Sequence, residues 1–379
     1  MVLWPMGRTG ASFGLKLGLG LFVALGAILA PIANRQTPEP KHFPRLTALP
    51  KLAPSEQDRL KSRLDAIVQG FDGQVGLFVR RLDQPWSVSI NGDVVMPQQS
   101  VSKLWVVMAV LSLVDRGEIS LDETVTVRRE DLSVFHQPIR AFVWEAGYTV
   151  SIRRLISGAL QQSDNAANDA LVRRLGGPFA VQVALVGRNL EGVRFGPGER
   201  DLQTRAAGLT WKPGYSFDRT FWEEREALPL QVRRTALEAY LADPPDGATP
   251  RGVAEALVRL KQGQLLSESS TEFMLAQMEQ SVTGQGRLRS RLAPVWRLAH
   301  KTGTGQVMGA LATGYNDVGL LLAPDGRVYS VAVLIARTQR PLSERQALMA
   351  AVAEAICDSA PAYQAEQERP QFLRSAGDD

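Results

Sequence analysis

Ser100 stands in the run Gln98-Gln99-Ser100-Val101-Ser102-Lys103, at the mouth of an apolar stretch that reads as a helix. A serine hydroxyl is a weak nucleophile, so catalysis through it needs a base, donors for a developing oxyanion and a route for the proton. Lys103 follows three residues later, which on a helix sets it on the same face within one turn. A helix N-terminus would also offer Ser100 free N–H groups and a dipole that favours negative charge. Ser163-Asp164-Asn165 and Lys301-Thr302-Gly303 come later in the chain. The Ser163 hydroxyl can pass a proton to a leaving nitrogen, and Lys301 and Thr302 offer a charge and a hydroxyl to a substrate carboxylate. Gly303 and Gly305 would let a substrate approach a strand edge closely. Each pattern alone is weak. A serine three residues before a lysine turns up roughly once by chance in such a chain, and Ser-Asp-Asn is also good helix-capping chemistry. The ordered set points to acyl transfer.

Elements to hold these residues can be read on both sides of them. A helix starts at Ser55, with Asp58 completing a capping box, Leu60, Leu64 and Ile67 on one face and Gly70 to end it. Strands are expected near Gln74–Leu82 and Trp86–Ile90, joined at Asp83-Gln84-Pro85. The chain then reads as helical over Ser100–Val114, Ile152–Leu160 and Asn168–Leu175. Strand character returns only in Leu298–Met308, Thr313–Leu322 and Arg327–Ala336, before a last helix over Ser343–Cys357. Strands at both ends bury better in one sheet than in two small ones. The expected class is therefore α/β (α+β): an antiparallel five-stranded sheet flanked by the terminal helices, with a helical lobe beside it.

Forty-three basic residues against 39 acidic ones, with no basic run, give the net charge of +4 little meaning for nucleic acid. No nucleic-acid partner and no metal are expected, since His42, His136 and His300 lack ligand spacing. The single Cys357 excludes an internal disulfide and sits in a helical, Ala-rich pattern that suggests burial. Arg8 and Lys16 precede the uncharged run Leu17–Asn34, so residues 1–34 read as a signal peptide or an N-terminal membrane anchor. Residues 35–54 form a Pro-rich linker, 55–358 the catalytic body, and 359–379 a polar tail expected to be disordered. The body would then work outside the cytoplasm, secreted or tethered.

The three motifs together resemble the class A β-lactamase family. So do the stretches Leu171–Gly177, Val258–Leu266 and Gly286–Gly305, and the likeness runs over most of residues 55–357. The resemblance implies that the amide of a β-lactam acylates Ser100, with oxyanion donors at the Ser100 and Thr304 N–H groups and Asn165 binding the substrate's side-chain amide. It also implies an active site between the sheet and the helical lobe, a monomer with a small-molecule β-lactam substrate, and no cofactor. Family members often hold the substrate carboxylate with a guanidinium from the next strand, where this chain reads Tyr315-Asn316-Asp317. Arg287, 14 residues before Lys301, has the spacing of a substitute; a surface arginine among Arg289 and Arg291 is the rival reading. Glu199, 34 residues after Asn165, matches the glutamate that activates water for release of the acyl group. Gln203 replaces the usual asparagine that helps hold this water, and Asp169, just after the Ser-Asp-Asn, stands where many members have asparagine. An insertion over about residues 205–248, containing Trp211, Phe217, Phe221, Trp222 and Tyr240, would either cover the site or pack on the helical lobe. Two further functions fit the same residues. One is a DD-peptidase or esterase; the other is a tethered penicillin sensor that stays acylated.

Overall fold

Alternating apolar residues bring an early strand and the last strand together. In the computed structural model, which describes residues 54–360, Val75, Leu77 and Val79 lie opposite Ile335, Val333 and Val331 in an antiparallel pair. In chain order, α1 (Glu56–Gln69) leads into β1 (Gly73–Arg81) and β2 (Ser87–Ile90), then the two-residue β3 (Met96–Pro97). A 3₁₀ turn, Gln99–Ser102, opens into α2 (Lys103–Asp115). The ribbon β4 (Thr124–Val127) and β5 (Tyr148–Ser151) precedes α3 (Ile152–Gln161), α4 (Asn165–Arg174) and α5 (Pro178–Val186). Next come α6 (Glu199–Ala206), α7 (Thr220–Ala227), α8 (Leu230–Ala242), β6 (Gly247–Ala248), α9 (Pro250–Lys261) and α10 (Glu268–Glu279). The chain closes with β7 (Arg297–Thr304), β8 (Val307–Met308), β9 (Leu311–Leu322), β10 (Val328–Thr338) and α11 (Leu342–Ser359).

The sheet runs β2-β1-β10-β9-β7, five antiparallel strands as expected, with the short β8 added against β9. Successive side chains point to opposite faces. One face (Leu77, Val331, Val333, Leu321) packs on Leu60 and Leu64 of α1 and on Met349, Val352 and Ile356 of α11. The other (Phe78, Ala332, Leu334, Val318) joins the helical lobe, whose centre is α2. All ten residues from Lys103 to Ser112 are buried, so α2 is a core helix rather than an amphipathic one. Ser55 and Asp58 form the capping box, with the Asp58 N–H donating to Ser55 Oγ at 3.1 Å. Cys357 is buried and free, its thiol pushed up to about 11 by desolvation.

Three expectations need correction. The middle of the chain is not purely helical: Thr124–Val127 and Tyr148–Ser151 pair as a ribbon, each strand being too short to stand out beside its polar neighbours. The strand expected over Leu298–Met308 breaks after Thr304. There the Gly305 N–H donates to Gly314 O at 2.7 Å and Thr313 Oγ1 to Gln306 O at 2.8 Å, which bends the edge before β8. The helix expected from Ser100 opens instead as a tight 3₁₀ turn. Residues 1–34, most of the linker and nearly all of the tail lie outside the described residues, so the expectations placed on them are untouched. Among the described residues no helix is long and apolar enough to cross a membrane.

Candidate active site

The floor of the site is the 3₁₀ turn before α2. Gln99 takes a left-handed backbone conformation, φ 54°, which costs a non-glycine residue about 1–3 kcal/mol unless its surroundings enforce it. They do here. Asp246 Oδ2 accepts the Gln99 N–H at 2.7 Å, and Gln99 Nε2 donates to Tyr240 Oη at 2.5 Å. Tyr240 Oη in turn donates to Asp246 Oδ1 at 2.9 Å. Asp246 is buried, and desolvation pushes its carboxyl up to about 6.

Ser100 follows, its hydroxyl 2.6 Å from Lys103 Nζ. The fully buried Lys103 also donates to Asn165 Oδ1 at 2.9 Å and to Glu199 Oε1. An ammonium has three donors, and each has an acceptor here. Three elements thus converge on one nitrogen: the turn carrying Ser100, the start of α4 and the start of α6. Asp169, the departure from asparagine, accepts the Glu199 N–H at 2.9 Å and the Ser133 hydroxyl at 2.9 Å, which fixes where α6 begins. Desolvation and then the Glu199 charge raise its carboxyl above the usual range. Gln203 lies one turn beyond Glu199. Its Nε2 donates to Gln99 Oε1 at 2.9 Å and to Glu199 Oε2 at 3.3 Å.

Ser163, also left-handed at φ 61°, joins α3 to α4. The capping chemistry of Ser-Asp-Asn is used. Asp164 is the N-cap, accepting the Ala167 N–H at 2.9 Å, while Ser163 and Asn165 face a cavity of about 510 Å³. Asn165 Nδ2 donates to Val134 O at 2.9 Å, one of the two protons it carries.

The opposite wall is β7. Thr302 and Thr304 line the cavity, and Thr302 Oγ1 lies 2.8 Å from Thr283 Oγ1. Lys301 is fully buried behind them, its Nζ donating to Ser163 Oγ at 2.9 Å and Thr302 O at 2.8 Å. Its charge therefore reaches the cavity through Ser163 rather than by direct exposure. Burial, then the charges of Lys103 and Arg287, hold this ammonium well below the usual lysine range. Gly303 has a different reason to be glycine than the one expected. A Cβ there would meet Gln98 O at 2.3 Å, and one on Gly305 would meet Thr313 O at 2.2 Å. The glycines let β7 close onto protein backbone.

Arg287 is buried and belongs to the cavity wall, not to the surface. It donates to Gly303 O at 2.9 Å, Asn316 O at 2.5 Å and Thr304 Oγ1 at 2.5 Å, and its guanidinium lies 3.8 Å from the Tyr315 ring centre. The stretch Tyr315-Asn316-Asp317, without an arginine of its own, supplies the platform for one from elsewhere. Asn316 Nδ2 also ties β9 to Pro97 O at 2.9 Å, just before the nucleophile's turn.

The sequence pattern of the Beta-lactamase enzyme family matches residues 59–360, which includes every group described above. The chain belongs to the class A β-lactamase family. By that membership it is a hydrolase of β-lactams. Relatives of this β-lactamase include VEB-1 of Pseudomonas aeruginosa, 23% identical over 79% of this chain and 90% of its own. The extended-spectrum β-lactamase PER-1 of the same organism is 27% identical over 78% of this chain and 85% of its own. Among solved structures, a β-lactamase from Chitinophaga pinensis superposes with a TM-score of 0.65 at 26% identity, covering 79% of this chain and 98% of that one. An ancestral class A β-lactamase gives 0.64 at 26% identity, covering 79% and 100%.

Some site residues of this β-lactamase escape a reading by sequence. Gln99, Tyr240 and Asp246 meet across the insertion, and their signal is only an unremarkable Gln-Gln pair and a distant tyrosine. Phe135, Trp222 and Arg225 also line the cavity. The aromatic residues of the insertion announce a packed element, but nothing in their spacing says that it faces the site. Among the described residues no cluster of three or more His, Cys, Asp or Glu could hold a metal ion.

Proposed function

We propose that this β-lactamase opens its substrate through an ester at Ser100 and releases the product with water activated by Glu199. The observation that carries the reading is the contact of Lys103 Nζ with Ser100 Oγ, Asn165 Oδ1 and Glu199 Oε1 at once. A lysine whose three protons are all engaged accepts the Ser100 proton only as it gives one of its own to Glu199. The pair acts as one base. Ser100 Oγ bonds to the lactam carbonyl carbon while the N–H groups of Ser100 and Thr304 bind the oxyanion. The C–N bond then breaks, and the ring nitrogen takes a proton from Ser163 Oγ. The proton that left Ser100 replenishes Ser163, so Glu199 ends ionised. In the second half Glu199, steadied by Gln203, removes a proton from water whose oxygen attacks the ester. The C–O bond to Ser100 breaks and the hydroxyl regains its proton.

In the same reading Thr302, Thr304 and Arg287 bind the substrate's ring carboxylate, with Gly303 setting the edge and Lys301 adding charge from behind. Asn165 binds the side-chain amide through its second Nδ2 proton. The apolar segment before residue 35 supports export or a membrane tether, checked by fractionating cells that express the full chain.

A chromogenic cephalosporin tests the mechanism. Ser100→Ala should abolish turnover. Glu199→Gln should slow deacylation by about 10²–10⁴-fold and leave an adduct, visible in the intact mass, on Ser100. A persistent adduct on the unmutated protein would refute turnover through Glu199.

A further inference from the structure

Helix α7, from the insertion, contributes Trp222 and Arg225 to the lining of the cavity. Phe221 and Trp222 pack on Phe135 of the helical lobe, with ring centres 5.0 and 5.1 Å apart. On the other side Arg225 Nη2 donates to Val307 O at 2.8 Å on β8, which tethers the helix to the sheet. Arg225 is only 7% exposed, yet among the described residues no carboxylate lies within salt-bridge distance of it. Its Nε is buried without a partner, and Nη1 makes no hydrogen bond to a described group while the side chain lines the cavity. A buried cation normally has an anion beside it, because desolvating it alone is costly. The cavity that Arg225 lines offers room for such an anion.

The position of Arg225 says which end of a substrate it meets. Thr302 and Thr304, assigned above to the ring carboxylate, precede Gln306 and Val307 along the same edge. In the mechanism proposed above, a bicyclic substrate with its carboxylate at Thr302 and Thr304 and its side-chain amide at Asn165 would have its acyl group toward Gln306, Val307 and Arg225, which line the same cavity. Trp222, 41% exposed, and Phe135 flank the same space with flat apolar surface.

Resting on the mechanism proposed above, we propose that Arg225, Trp222 and Phe135 form an acyl-side-chain subsite selective for a side chain that bears both an aromatic ring and an anionic group. The ring packs against the aromatic pair and the anion takes the Nη1 donors of Arg225. Arg225 is then a specificity-determining residue supplied by the insertion, outside the reacting atoms.

The test compares benzylpenicillin with its α-carboxy derivative, which differs by one carboxylate on the acyl side chain. The ratio of their kcat/KM values is measured for the wild type, Arg225→Gln and Arg225→Lys. A charge-assisted hydrogen bond lost in the transition state should lower the carboxylated-to-parent ratio about tenfold or more in Arg225→Gln. Arg225→Lys should recover most of it. Melting curves and the parent substrate report whether each variant is folded, and the ratio cancels a general loss of activity. A Gln-variant ratio within about twofold of the wild type overturns the subsite. If the wild type consumes neither penicillin, the mechanism itself fails and the subsite falls with it.

Discussion

Replacing Tyr240 with phenylalanine removes one oxygen from the buried contact between the insertion and the nucleophile's turn. That oxygen accepts from Gln99 Nε2 at 2.5 Å and donates to Asp246 Oδ1 at 2.9 Å, and all three residues are buried. A hydrogen bond to a charged acceptor is worth about 1.5–3 kcal/mol, and a buried amide left unpaired costs about 1–3 kcal/mol. Partial relaxation brings the expected destabilisation of Tyr240→Phe to about 3 kcal/mol at pH 8. The loss should depend on pH. The Asp246 carboxyl titrates at about 6 in the folded protein, above its ordinary 3.8, so the folded state holds the proton more tightly. Its contribution to stability therefore falls as pH rises from about 4 to about 6. The phenol opposes that fall by stabilising the carboxylate. Without it the folded carboxyl should titrate higher still and the fall continue to higher pH, so the cost of the substitution grows from pH 5 to pH 8. Urea denaturation of both proteins at the two pH values measures it. A difference below about 0.5 kcal/mol at pH 8, or one that shrinks with rising pH, would refute the reasoning.

Two further outcomes follow from the carboxylate wall. Arg287→Ala removes the donors to Gly303 O, Asn316 O and Thr304 Oγ1, and should lower kcat/KM at least tenfold for a substrate with a free ring carboxylate but much less for its methyl ester; steady-state kinetics on the pair decides. Lys301 binds its proton weakly in the folded protein, so the alkaline fall of kcat/KM should begin below the ordinary lysine range, and a pH–rate profile extended past pH 10 shows whether it does.

Much of the sheet was legible because alternation at both chain ends has a single good way to be buried. The Leu60–Leu64 stripe and the β10 run Val331-Ala332-Val333 locate two layers without any distance information. The β4–β5 ribbon was hidden: four residues of Thr-Val alternation carry too little apolar weight to distinguish a strand from a loop. At the site, spacing announced one meeting, that of Lys103 with Ser100 three residues before it, and the order of the motifs suggested the others. They did not announce direction. Lys301 could have faced the cavity or Ser163, and only the backbone path of β7 selects the second. Arg287 was ambiguous for the same reason until Tyr315 appeared beneath it. The insertion was the least legible part, because Trp222 and Arg225 acquire meaning only from Phe135 and Val307, more than 80 residues away on either side.

Lys103 is anchored by more than the serine it serves. In the proposed acyl-enzyme Ser100 gives up its proton, but the bonds of Lys103 to Asn165 Oδ1 and Glu199 Oε1 do not involve the acyl group. In the proposed cycle the nucleophile can thus be consumed and restored without the surrounding side chains leaving their rotamers. Each turnover in that cycle then begins from a site already in its starting arrangement, with no rotamer to reset before the next substrate is bound.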